Sequence, residues 1–184
     1  MSRGLGDVYK RQSLNVVPNQ TVPNLVIAKV GADGRVSIYN HAGSAHVIFD
    51  VVGWLDAAGE GAEGYHALSP ARILDTRAGT GGFAVPVGPG ATISPAVTGV
   101  GGVPATGVAA VVLNVTATEP TAVSFLTIYP NGAPRPLASS LNVVPNQTVP
   151  NLVIAKVGAD GRVNVYNHAG SGHVIFDVVG WFRA

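Results

Sequence analysis

The side chains able to do chemistry in this sequence are few. Asp75, Thr76 and Arg77 form an Asp-Thr-Arg run with Arg72 just upstream. Facing solvent, such a run could hold a carboxylate or a sugar. Asp and Arg are almost never buried unless paired, however, so an ion pair or turn lock at the edge of the fold is the plainer reading. Asp177 interrupts the apolar run HVIFDVVGWF, with Val174, Phe176 and Val178 on one side and Ile175, Val179 and Trp181 on the other. A carboxylate there needs a partner; Arg72 or Arg77 is expected, with backbone N–H groups as the alternative. Asp50 occupies the same place in an upstream copy of this run.

His168 and His173 flank a short turn, as do His41 and His46. With Asp177 near, they bring a metal to mind, but the spacing fits no ligand motif and a site needs three or four converging ligands. No D-x-D-x-D-G cluster offers a calcium loop. No metal and no cofactor is therefore expected. Trp181 and Trp54 end equivalent segments. Paired aromatics can stack on a sugar, although a core or boundary role fits them better. Ser, His and Asp all occur, but without a G-x-S-x-G elbow, and no catalytic residue is assigned. Asn19-Gln-Thr21, Asn114-Val-Thr116 and Asn146-Gln-Thr148 match the N-glycosylation pattern, a match read as coincidental in a bacterial protein.

The elements that must position these groups are set by a repeat. Residues 13–55 and 140–182 are two copies of one sequence, offset by 127, and only 4 of the 43 aligned positions differ. The differences are Ser37 for Asn164, Ile38 for Val165, Ala45 for Gly172 and Leu55 for Phe182. A repeat of this kind fixes architecture before anything else does. It divides the chain into a tail at 1–12, a partial repeat at 13–55, a small, acidic, Gly-rich linker at 56–64 and a complete module at 65–182. The tail, MSRGLGDVYKRQ, holds Arg3, Lys10 and Arg11 and does not match the rest of the chain. It resembles translated adapter sequence at the broken end of a metagenomic gene, which puts the true N-terminus elsewhere and makes the lack of a visible signal peptide uninformative.

Composition narrows the class. Hydrophobic residues make up 47% and charged residues 11%, with 24 Gly and 13 Pro. That balance favours strands and turns. A net charge of +1 gives no electrostatic case for nucleic acid or an anionic membrane. There is no Cys, which excludes disulfides, thiolate metal sites and a Cys nucleophile. No apolar run approaches the length needed to span a bilayer as a helix.

Strand candidates in the partial repeat are 14–17, 24–30, 36–40 and 46–55, with Asp33-Gly34 as a hairpin turn. In the module they are 65–68, 72–75, 92–97, 109–118, 125–129, 139–144, 151–157, 163–167 and 173–182. No segment has helical periodicity. The expected fold is all-β with essentially no helix: an antiparallel, jelly-roll-like sandwich, with a β-trefoil or closed barrel as the alternative. The trefoil is suggested by an apolar–Asn/Asp–Val echo at 111–115, 140–143 and 174–178. The half module has apolar faces and no mate of its own, so it is expected to dock on a sheet edge or to pair with another copy by strand exchange.

The runs YHALSPARILDTRAGTGG, VTGVGGVPATGVAAVVLNVTATEPTAVSFLTIYPNG and SSLNVVPNQTVPNLVIAKVGADGRVNVYNHAGSGHVIFDVVGWF carry a resemblance. The most specific pieces are Leu74-Asp75-Thr76-Arg77, Leu113-Asn114-Val115-Thr116 and Gly180-Trp181-Phe182. Together they resemble a tandem repeat module of secreted and cell-surface proteins of actinobacteria, over the whole of 65–182 and, as a torn half, over 13–55. The resemblance implies an extracellular or cell-surface, non-catalytic module and supplies neither ligand nor catalytic residues. The expected function is therefore structural: spacing, display or adhesion. A carbohydrate- or cell-wall-binding module is the second reading, and a hydrolase accessory or catalytic domain the last.

Overall fold

The computed structural model describes residue 14 and residues 16–28, 30–54 and 64–184. The expected tail and linker lie outside these, except for Gly64. Among the described residues eight strands follow one another: β1 (Tyr65–Asp75), β2 (Thr92–Ile93), β3 (Val108–Thr118), β4 (Ser124–Pro130), β5 (Leu141–Val143), β6 (Val149–Lys156), β7 (Val163–Asn167) and β8 (His173–Arg183). No helix occurs among the described residues. The strands form two four-stranded antiparallel sheets, ordered β1-β8-β3-β6 and β2-β7-β4-β5. This is the order of an eight-stranded jelly roll. Both sheets are open, which overturns the trefoil and closed-barrel alternative. The echo behind that alternative comes from strand alternation instead. Asn114, Asn142 and Asp177 point outward between the inward pairs Leu113/Val115, Leu141/Val143 and Phe176/Val178.

The order amounts to one long hairpin rolled on itself. β1 pairs with β8, β2 with β7, β3 with β6 and β4 with β5, and rolling adds β3 against β8 and β4 against β7. Every ladder joins one of the first four strands to one of the last four. The hairpin folds back between β4 and β5, where the repeat 140–182 begins. The core lies between the sheets and draws on both halves. Leu74, Val97, Val111, Leu113 and Val115 from the first half meet Leu141, Val163, Val165, Val174, Phe176 and Val178 from the second. At one edge the Tyr65 ring lies across β8, where a Cβ on Gly180 would come within 2.5 Å of it and push the ring aside.

The observed strands track the expected ones with three exceptions. Segments 65–68 and 72–75 are one strand, carried past Pro70 by register shifts against β8. The segment 92–97 keeps only two strand residues, because Pro95 cannot extend a ladder. The third exception is a correction: the four strands expected in 13–55 are not there. No described residue from 14 to 54 is in a strand.

The turns of that segment are nevertheless those of its copy. The Gly34 N–H donates to Gly31 O at 3.0 Å, as Gly161 does to Gly158 at 2.9 Å. Gly31 N–H donates to Arg35 O at 2.9 Å, as Gly158 does to Arg162 at 2.9 Å. Asn40 Nδ2 reaches Gly43 O at 3.0 Å, and Asn167 Nδ2 reaches Gly170 O at 3.0 Å. Asn19 and Asn146 share a left-handed backbone, φ 62° and 63°. Turns need only neighbours in sequence, whereas these strands need β1 to β4. Without them Phe49 is 65% exposed, while its counterpart Phe176 is fully buried.

Leu113 is fully buried on β3 and has no second copy. Leu113→Ala is expected to cost about 2–5 kcal/mol, read as a lowered urea midpoint.

Candidate functional site

The polar residues singled out by sequence gather where β1 ends beside β8. Register places Arg72 opposite Asp177. The guanidinium grips that carboxylate with both arms, Nε to Oδ1 at 2.9 Å and Nη2 to Oδ2 at 3.1 Å. Its remaining nitrogen, Nη1, reaches Asp75 Oδ2 at 3.3 Å. Asp75 in turn accepts two bonds from Arg77, Nε to Oδ1 at 3.0 Å and Nη2 to Oδ2 at 2.8 Å, and a third from the Arg77 backbone N–H at 3.0 Å. The result is a chain of four alternating charges, Asp177–Arg72–Asp75–Arg77. Asp75 is its buried member, 4% exposed, while both arginines reach solvent.

Hydrogen bonding to Arg77 holds the Asp75 carboxyl down at about 2, against the opposing effect of burial, with the Arg72 charge adding to the downward pull. The same bonds raise Arg72, chiefly through Asp177, and Arg77, chiefly through Asp75. Both carboxylates are taken up by the two guanidiniums, whose outer edges face solvent. The arrangement can lock β1 to β8 and close the turn at 75–78, where Ala78 N–H donates to Asp75 O at 3.1 Å. It offers no nucleophile and no free base.

The other expected residues go elsewhere. His173 pairs through Nδ1 with Thr76 Oγ1 at 2.9 Å, and that oxygen also takes the Val174 N–H at 3.0 Å. His168 stacks on Phe125, ring centres 4.6 Å apart. Asp177 is held by Arg72, so the three groups considered for a metal are drawn to separate partners. Trp181 stacks on His66 at 4.1 Å and packs at the margin of the core. Trp54 is exposed. Asp50 is a correction: expected to join an ion pair like Asp177, it is exposed and forms none among the described residues, because the Arg72 equivalent it needs belongs to β1.

Two features escaped the sequence reading. Asn167, buried in the β7 end, accepts from Ser124 Oγ at 2.7 Å and donates to Val87 O at 2.9 Å, tying three segments together. On the outer face of the second sheet, Phe125, Tyr166 and His168 form an aromatic patch, with the Arg135 guanidinium 3.7 Å above the Tyr166 ring. Their positions in sequence, on β4, on β7 and in the loop before β5, hide their adjacency. A shallow open depression lined by Thr118, Glu119, Pro120, Thr121, Pro145, Asn146 and Thr148 lies between two loops. Within it, Thr118 and Thr148 bond to each other through their hydroxyls at 2.8 Å.

No protein-family model matches the chain, and no curated protein is similar to it.

The Asp75 interaction has a pH signature. Its folded carboxyl lies near 2, below the ordinary unfolded value of about 3.9. The stabilisation is therefore complete above pH ~4 and is lost as pH falls towards 2. Asp75→Asn is expected to lower stability by about 2 kcal/mol at pH 7 and to bring variant and parent together near pH 2, measured by urea titration at both values.

Proposed function

We propose that this chain is a non-catalytic structural module that works outside the cell or at its surface, in spacing, display or adhesion. The observation that carries this reading is the charge chain Asp177–Arg72–Asp75–Arg77, in which both carboxylates are spent on holding β1 to β8 and the turn that follows β1. The near-identical repeat and the resemblance to tandem modules of actinobacterial surface proteins support it. In this reading the chain's natural partner is of its own kind: a first-half segment like 65–139, which is what the strands of 13–55 lack.

A second reading, a carbohydrate- or cell-wall-binding module, is favoured by the Phe125–Tyr166–His168 patch with Arg135 beside it. Aromatic faces next to a cation can stack on a sugar ring. This patch suits that role better than Trp181, whose face is already taken by His66.

Retention on peptidoglycan and on immobilised cell-wall glycans separates the two. A purely structural role is expected to give no retention beyond that of a denatured control. Retention that falls at least tenfold in Tyr166→Ala but persists in Trp181→Ala would replace the first reading with the second.

A further inference from the structure

We infer that residues 65–139 can be completed by either copy of the repeat in the same chain. In one arrangement 140–182 fills the places of β5 to β8. In the other 13–55 fills them, and 140–182 is released. The inference rests on the proposed function, in which 13–55 seeks a first-half partner, and it names that partner as the one in its own chain.

Three observations lead here. First, the ladders run only between halves, so every strand of 140–182 takes its ladder partners from 65–139. The other copy, with 39 of 43 positions the same, presents nearly the same strands to the same template. It already has the required turns, at 17–20, 31–35 and 40–43.

Second, the chain can make the connection. The end of β8 lies against the start of β1: Tyr65 is paired with Phe182, and the Arg183 N–H donates to Gly64 O at 2.8 Å. A copy seated in the β8 place would end one strand spacing, about 5 Å, from Tyr65. The nine residues 56–64 that join it to Tyr65 can span up to about 30 Å. The exchange is thus a circular permutation within one chain. The connection opened in return is the one between β4 and β5, at the surface.

Third, the four differences can be placed. Ala45 in the position of Gly172 is accommodated, because a Cβ there would meet its nearest neighbours at 3.5 and 3.6 Å. The other three favour the second copy. Ser37 cannot reach as Asn164 does to take the Ser94 hydroxyl at 2.6 Å. Ile38 brings an extra methyl to the fully buried place of Val165. A leucine in the place of Phe182 gives up a ring contact with Tyr65, centres 5.3 Å apart. The differences set a bias without forbidding the exchange.

Exchange between chains does not remove the need for this choice. Each chain brings one first half and two second halves, so any number of identical chains leaves the same surplus.

The test uses the full chain and a mutational cycle on Phe49 and Phe176, with urea midpoints as readout. Phe49→Ala is expected to be silent in the parent and to lower the midpoint clearly in the Phe176→Ala background. Additive effects would overturn the exchange. Phe176→Asp supplies the structural readout by hydrogen exchange and mass spectrometry. Amide protection is expected to move from 140–182 to 13–55 in a protein that sediments as a monomer, and to vanish in Phe49→Asp/Phe176→Asp. Protection that stays on 140–182, loss of protection as complete as in the double variant, or recovery only in a dimer would each overturn it.

Discussion

Backbone pairing between the two halves of the chain is the constraint on which this structure depends. In a rolled hairpin no strand of either half finds a hydrogen-bonding neighbour within its own half. Backbone groups in a buried sheet must be paired, so neither half can order its strands without the other. The core obeys the same rule. Leu113 and Phe176, both fully buried, come from opposite halves and contribute to one hydrophobic cluster. Secondary structure, ladders and core here all depend on the meeting of the two halves, in pairings that run from Leu126 with Leu141 out to Tyr65 with Phe182. Such non-local topologies carry a high entropic cost before contacts compensate it.

The repeat shows how far that constraint reaches. Two segments of almost one sequence have the same turns and different fates. Asn40 and Asn167 make the same bond to a glycine carbonyl three residues on, and Gly34 and Gly161 share φ 76°. Yet Val165 is sealed in the core while Ile38, its counterpart, is 58% exposed. β-Propensity and apolar alternation are nearly the same in the two places. What differs is access to a template, in line with strand preference reporting the surroundings more than the residue.

Much of this was legible in the sequence and the rest was not, for the same reason. Local signals gave the turns, the absence of helix and most strands of the module: 163–167 coincides with β7, β3 and β8 differ from expectation by one residue at one end, and β4 by one residue at each end. The partial repeat misled because its pattern is that of strands whose partners lie elsewhere. Among the polar groups, the rule that a carboxylate in an apolar strand needs a partner pointed Asp177 to Arg72, Arg77 or backbone N–H groups without choosing between them; the structure pairs it with Arg72. The joining of that pair to Asp75–Arg77 into one run of four charges was not legible, since it depends on Arg72 reaching both carboxylates at once, Asp177 across the ladder and Asp75 three residues on. The patch formed by Phe125, Tyr166 and Arg135 had no sequence signal at all. It is assembled by the sheet order β7-β4 and by the loop that folds over it.

The meeting of Gly64 with Arg183 has a mechanical meaning. Entry and exit of the folded unit sit side by side, so a chain of such units would carry them as pendants on a thread and not as links of a stiff rod. Tension applied at the two ends would part β1 from β8 like a zipper, one hydrogen bond after another, beginning at Tyr65 and Phe182. The charge chain around Arg72 and Asp75 lies farther along the same seam, where it would act as the first firm stop against peeling.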